Sequence, residues 1–138
     1  MTNRTLAIIK PDAVKKMLTG KIIDRILKGG FAIIHMKQIH LTKKQAEGFY
    51  AIHRDKPFYN DLVAFMSSAP CIVLVLKKEN AVDELRKVIG ATNPDLADEG
   101  TIRKDFADNI QNNAIHGSDS NENAIKEIAF FFSTSEIL

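Results

Sequence analysis

Strand and helix signals alternate along these 138 residues, the strand candidates are four and short, and one irregular loop runs from 90 to 113. These three observations predict a mixed helix-and-strand fold in one small domain spanning 1–138. Alternation alone suits a doubly wound parallel α/β sheet. Short strands and a long loop suit an α+β sandwich equally well, and the residues by themselves leave both open.

"TLAII" (5–9) reads as a buried strand ended by "KPD". Thr19 is predicted to cap a helix whose stripe is Ile22, Ile23, Ile26 and Leu27, stopped by Gly29-Gly30. "FAIIHMKQIHL" (31–41) is a long strand candidate, and "TKKQ" (42–45) has the form of a capping box. Ala46, Phe49, Tyr50 and His53 follow at helical spacing until Pro57, and a short amphipathic piece resumes at Leu62, Phe65 and Met66. "SSAP" turns the chain into the strand "CIVLVL" (71–76). Asn80 is predicted to cap a helix through Val82, Leu85 and Ile89, stopped by Gly90. Residues 90–113 hold no sustained period and at most one short helix, after Thr101; such loops are usually functional. "AIHG" (114–117) is a very short strand. Asp119 or Ser120 then caps a last helix carrying Ala124, Ile125, Ile128 and Ala129.

With 45% apolar and 26% charged residues, the composition is that of an ordinary globular protein, which excludes a disordered or fibrous chain. "LAII" is too short for a signal-peptide core and "CIVLVL" too short for a membrane span, so no membrane partner is expected. Cys71 is the only cysteine, which excludes an internal disulfide and predicts a buried thiol in a reducing cytoplasm. Residues 1–70 carry 12 Lys/Arg against 5 Asp/Glu, and 71–138 carry 7 against 12. No basic block marks a nucleic-acid tail, although an anionic ligand is compatible.

Of the four histidines, His116 in "NNAIHGSDS" stands out. Its ordinary reading is an exposed strand end before a capped helix. Its functional reading is a neutral imidazole nucleophile beside a helix N-terminus suited to anions. His35 and His40 lie at opposite strand parity, and His53 shares a helix face with Tyr50. No HExxH or comparable metal spacing, no Walker A pattern and no GxGxxG occurs. Lys10, Arg86 and Arg103 each read alone as surface cations outside the core. Arg103 is anomalous, because a cation near a helix N-terminus gains nothing from the dipole. Phe58 and Tyr59 follow Pro57 in a polar turn that should leave one ring exposed.

Together, "TLAIIKPDAV", "AEGFYAIHRDKPFYNDLV", "GATNP", "GTIRKDFA" and "NAIHGSDS" resemble nucleoside diphosphate kinases, in order and without evident gaps from Thr5 to about Phe132. The resemblance implies a ferredoxin-like α+β sandwich with a four-stranded antiparallel sheet. It also implies ping-pong transfer of a γ-phosphate between nucleotides through a phosphohistidine at His116. By motif, Lys10, Tyr50, His53, Arg86, Thr92 and Arg103 would surround the phosphates. Lys10 and Asn113 would reach the ribose 3′-hydroxyl, Phe58 would stack on the base with Ile110 opposite, and Ser118 and Glu127 would support the histidine. Mg²⁺ would arrive on the phosphates, with Asp119 reaching it through water and no direct protein ligand. The family implies a homotetramer or homohexamer and no specific nucleic acid. Two rivals are a catalytically silent family member and a nucleic-acid-binding ferredoxin-like module, the latter suggested by "KGGFAII" (28–34). The intact His116 argues against the first, and "NAIHGSDS", useless to a binding module, against the second.

Overall fold

A computed structural model describes residues 3–137. Four strands, β1 (Arg4–Ile9), β2 (Ala32–Ile39), β3 (Cys71–Lys77) and β4 (Ile115–Gly117), form one sheet in the order β2-β3-β1-β4. Every neighbouring pair is antiparallel. This is the ferredoxin-like sandwich, and the doubly wound parallel alternative is overturned. The alternation that suggested it is nonetheless real. β1 and β2 run parallel with β3 between them, and β3 and β4 run parallel with β1 between them. Each strand–helix–strand unit is split by a strand of the other, so every hydrogen-bonded neighbour comes out antiparallel.

The helices are α1 (Pro11–Lys15), α2 (Thr19–Lys28), α3 (Lys43–Phe49), α4 (Tyr59–Met66), α5 (Ala81–Ile89), α6 (Ile102–Phe106), α7 (Asn121–Phe131) and α8 (Thr134–Ile137). Side chains of β1 and β3 alternate between two cores. Ala7, Ile9, Ile72, Leu74 and Leu76 face α2 and α5, while Leu6, Ile8, Val73 and Val75 face α3, α4 and α7. Because both faces are covered, these strands read as continuous apolar runs. Each fully buried Leu or Ile contributes about 1.5–3 kcal/mol. β2 lies at the edge and is only half-buried, which is why its sequence is the more polar.

Local chemistry explains most helix boundaries. Thr42 and Gln45 form the expected capping box at α3. The Ser120 hydroxyl accepts the Asn123 N–H at 3.0 Å and starts α7, and Thr101 accepts the Lys104 N–H to start α6. Other expectations need correction. Thr19 is the first helical residue of α2, and Leu18 occupies the cap without a side-chain bond. Asn80 does precede α5, but in the left-handed region and with no capping bond. In α7 only Ala124 and Ile128 are buried, because the helix lies on the sheet along a narrow stripe; Ile125 and Ala129 are exposed. α1, the turn α8 and 3-10 turns at Ala51–His53 and Pro94–Leu96 were too short to carry a periodic signal. α1 begins with Pro11, whose fixed φ suits a first helical position.

β4 sets the orientation of the site. Ile115 belongs to the core under α2 and α5, so strand parity turns His116, paired with Ile8, toward α3 and α7. Gly117 lets α5 approach: a Cβ there would stand 2.7 Å from the Ile89 side chain. Cys71 is buried, and burial pushes its thiol up to about 11, an inert group.

Candidate active site

Where β4, α3, α5, α6, α7 and the 90–113 loop meet, a cleft of about 510 Å³ opens. Lys10, Tyr50, His53, Phe58, Arg86 and Thr92 line it, as do Arg103, Ile110, Asn113, His116, Asp119 and Glu127. Of the residues that the resemblance implies for the site, only Ser118 stands behind the lining, where it is buried.

At the centre, His116 Nε2 lies 2.9 Å from Glu127 Oε1, and the Ser118 hydroxyl donates to that same oxygen at 2.7 Å. A carboxylate only accepts, so Nε2 carries the proton and Nδ1 of the neutral ring holds the free lone pair. Phe49 packs its ring edge-on against the imidazole with centroids 5.6 Å apart, and Tyr50 does so at 6.4 Å. The histidine is thus held in one tautomer and one orientation.

Around it stand cations. Lys10, just past the end of β1, is 7% exposed and donates to Asn113 Oδ1 at 2.8 Å. Burial, with Arg103 nearby, lowers its pKa to about 8, and Asp12 works in the opposite direction. Arg103 is also 7% exposed, which corrects its reading as a surface residue. α6 is so short, and so closely packed under the loop, that its first turn points inward. The guanidinium donates to Gly90 O at 3.1 Å and to Ile115 O at 2.7 Å, while its Nε is buried without a partner. Burial and the Arg86 charge lower its pKa to about 10. The helix-dipole anomaly has this physical outcome: the arginine faces the cleft rather than solvent. Arg86 itself, on α5, is exposed. No ion pair within 4.0 Å among the described residues involves Lys10, Arg86 or Arg103.

These cations have a stability consequence. Lys10 holds its proton less tightly folded than at the ordinary lysine value of 10.5, so its charge destabilises the fold below about pH 8. That cost is relieved as pH rises from about 8 toward 10.5. A bound polyanion would offset it at neutral pH.

At the cleft mouth Phe58 is 48% exposed and Ile110 58% exposed, while Tyr59 turns inward and its hydroxyl donates to Glu47 O at 3.2 Å. The His53 ring lies 5.5 Å from that of Phe58. Asn113 is buried, donates to Thr92 O at 3.3 Å and so joins two parts of the loop. The Tyr50 hydroxyl is buried without a partner, and burial raises its pKa, leaving a neutral phenol. Asp119 accepts from Asn123 Nδ2 at 2.6 Å; that bond, with the Arg86 charge, keeps its carboxyl below the usual range and ionised. No group of three or more His, Cys, Asp or Glu among the described residues could hold a metal ion. No helix among them is long and apolar enough to cross a membrane.

Two residues escaped the sequence reading. Phe49 was counted only as part of a helical stripe, and Asp12 only as part of a strand-ending "KPD". Their contacts are made with His116 and Ala114, more than sixty and a hundred residues away, so no local pattern marks them.

Fold and cleft define a class: ferredoxin-like proteins whose sheet presents a carboxylate-held histidine to a cation-rich cleft. A family profile described as nucleoside diphosphate kinase matches residues 3–137. A nucleoside diphosphate kinase of Helicobacter pylori is 57% identical over 137 residues, 99% of this chain and all of that one. The crystal structure of the Aquifex aeolicus enzyme of that name superposes with a TM-score of 0.96 at 44% identity, covering 99% of both chains. That from Encephalitozoon cuniculi gives 0.94 at 36%, covering 99% of this chain and 92% of the other. The chain belongs to the nucleoside diphosphate kinase family. It is an enzyme that passes the γ-phosphate of a nucleoside triphosphate to a nucleoside diphosphate, and membership carries with it nucleotide substrates and a divalent cation.

Proposed function

We propose that transfer runs by two half-reactions through a phosphohistidine at His116, within one domain spanning 1–138. The Nδ1 lone pair attacks the γ-phosphorus, and the bond from that phosphorus to the bridging oxygen breaks, releasing the nucleoside diphosphate. A second diphosphate then attacks the phosphohistidine and restores the imidazole. Donor and acceptor are chemically alike, so an intermediate of similar energy lets one site serve both directions. The observation that best supports this is the chain Ser118–Glu127–His116 set beside two buried cations, Lys10 and Arg103, that form no ion pair within 4.0 Å among the described residues. Glu127 accepts the Nε2 proton and stabilises the positive charge that grows on the ring during attack.

Charge spread over the equatorial oxygens of the transferring group is met by Lys10, Arg86 and Arg103, with Tyr50, His53 and Thr92 as further phosphate partners. Lys10 and Asn113 hold the ribose 3′-hydroxyl, and Phe58 stacks on the base with Ile110 opposite. The ionised Asp119 would reach, through water, a cation held mainly by the phosphates. When bound, that cation, Mg²⁺, neutralises charge on the phosphate oxygens. The working unit in this reading is a homotetramer or homohexamer in the cytoplasm, with no membrane and no specific nucleic-acid partner.

The test is to mix the protein with γ-labelled ATP and Mg²⁺ without acceptor. A label that is acid-labile, base-stable and discharged by any nucleoside diphosphate is expected; folded protein that takes no label overturns the reading. Two further results should follow. Glu127→Gln should slow phosphorylation of His116 by about ten- to a hundredfold, the equivalent of a hydrogen bond of roughly 1.5–3 kcal/mol to a charged group, with nucleotide affinity little changed. A wild-type rate in single-turnover labelling would return Glu127 to a purely structural place. Phe58→Ala should lose about 1–3 kcal/mol of stacking, read mainly in KM and alike for purines and pyrimidines. A loss confined to one base would mean that hydrogen bonds, not stacking, select the nucleotide.

A further inference from the structure

Ala114, two residues before His116, has φ +73, a left-handed conformation that a residue with a Cβ adopts only when its surroundings impose it. Both of its backbone polar groups are held by the "KPD" segment. Its N–H donates to Asp12 Oδ2 at 3.1 Å, and its carbonyl accepts the Lys10 N–H at 2.9 Å. The adjoining Asn113 takes the Lys10 ammonium. The approach to the nucleophile strand and the cleft lysine are therefore fastened to each other by three hydrogen bonds, between Lys10 and Asp12 on one side and Asn113 and Ala114 on the other.

A neutral acceptor would serve Ala114 as well. Asp12 is instead a carboxylate, 7% exposed, with its second oxygen buried and without a hydrogen-bond partner. Burying that charge is unfavourable, and it raises the Asp12 pKa, opposed first by the Lys10 charge. On the lysine side, burial and Arg103 of α6 work against the ammonium and Asp12 works for it. The other charged or titratable groups of the cleft are Tyr50, His53, Asp61, Arg86, His116, Asp119 and Glu127. Of the three carboxylates among them, Glu127 is engaged by His116 and Ser118, Asp119 by Asn123, and Asp61 stands in the first turn of α4.

We propose that Asp12 is a positioning residue for phosphoryl transfer: its carboxylate clamps the Ala114 peptide behind His116 and supplies a fixed negative charge two residues along the chain from Lys10. This rests on the reading of Lys10 and His116 given above. Asp12→Asn keeps an acceptor oxygen for Ala114 and removes only the charge, so the fold and the acid side of the pH profile should hold. With Asp12 neutral, Lys10 loses its proton at lower pH, and the alkaline limb of kcat/KM should move down. At about pH 8 the variant should be roughly three- to tenfold below wild type, against less than about twofold at pH 6.5. In a Lys10→Arg background, whose charge does not titrate in this range, Asp12→Asn should no longer move the limb. An unmoved limb in Asp12→Asn, whether activity is full or uniformly reduced, overturns the proposal. Should that variant fail to unfold-refold as a native protein, the wild type decides: the Asp12 carboxyl ¹³C shift should show a second inflection near pH 8, as Lys10 titrates. Its absence would equally overturn the proposal. Because that titration needs no turnover, it separates failure here from failure of the phosphohistidine reading, which the label test exposes.

Discussion

His116→Ala is expected to abolish transfer, lowering the rate of both half-reactions by more than about 10³-fold, or ~4 kcal/mol of barrier. No neighbouring group can take over. The Ser118 hydroxyl is committed to Glu127, and His53 stands in the same cleft without a carboxylate to fix its tautomer. The substitution removes a partly exposed ring in the middle of a three-residue strand, outside both core clusters, so the cores on either side of the sheet remain packed. Calorimetric titration should therefore find nucleotide affinity within about threefold of wild type, since phosphate and base contacts come from other residues. Single-turnover labelling with γ-labelled ATP is the measurement. A label that persists at wild-type rate would move the nucleophile to another side chain and remove the central proposal.

Arg103→Ala should combine two effects that the sequence reading kept apart. Its position in the loop helix suggested a surface residue whose loss would leave folding intact. The side chain is buried, and two of its five N–H donors go to the carbonyls of Gly90 and Ile115. Truncation strips both carbonyls of their partners, at about 1.5–3 kcal/mol per bond to a charged donor. Against that, it removes a buried cation that no carboxylate neutralises and that Arg86 repels. The opposing terms leave a net destabilisation of about 1–3 kcal/mol, visible as a lowered Tm. Catalysis should suffer more, by about 10²–10³ in kcat, as for other single donors to transition-state charge. Arg103→Lys should recover only part of either, since an ammonium cannot serve two carbonyls in fixed geometry and a phosphate as well. Thermal melts and steady-state rates check the two halves; full activity in the lysine variant would remove the argument from geometry.

Much of this molecule is legible along the chain. The runs at 5–9 and 71–76 are strands because β1 and β3 are covered on both faces. Thr42 and Gln45 cap α3 reciprocally, as their spacing predicts, and the turn after Pro57 exposes Phe58 while burying Tyr59. The motif around His116 points to the family by itself, and the residues that the resemblance implies, Ser118 behind the lining apart, meet in one cleft. The order of the strands was not legible. Alternating strand and helix is equally consistent with a parallel sheet, and only the insertion of β3 between β1 and β2 makes the neighbours antiparallel. Nor was the burial of Arg103, the second tie of Lys10 through Asp12 and Ala114, or the edge-on packing of Phe49 on His116. Periodicity and capping report interactions between residues a few positions apart, and these are present in the sequence. Strand order and the environment of a charge depend on partners from a dozen to about a hundred residues away, and they exist only once the sheet has closed.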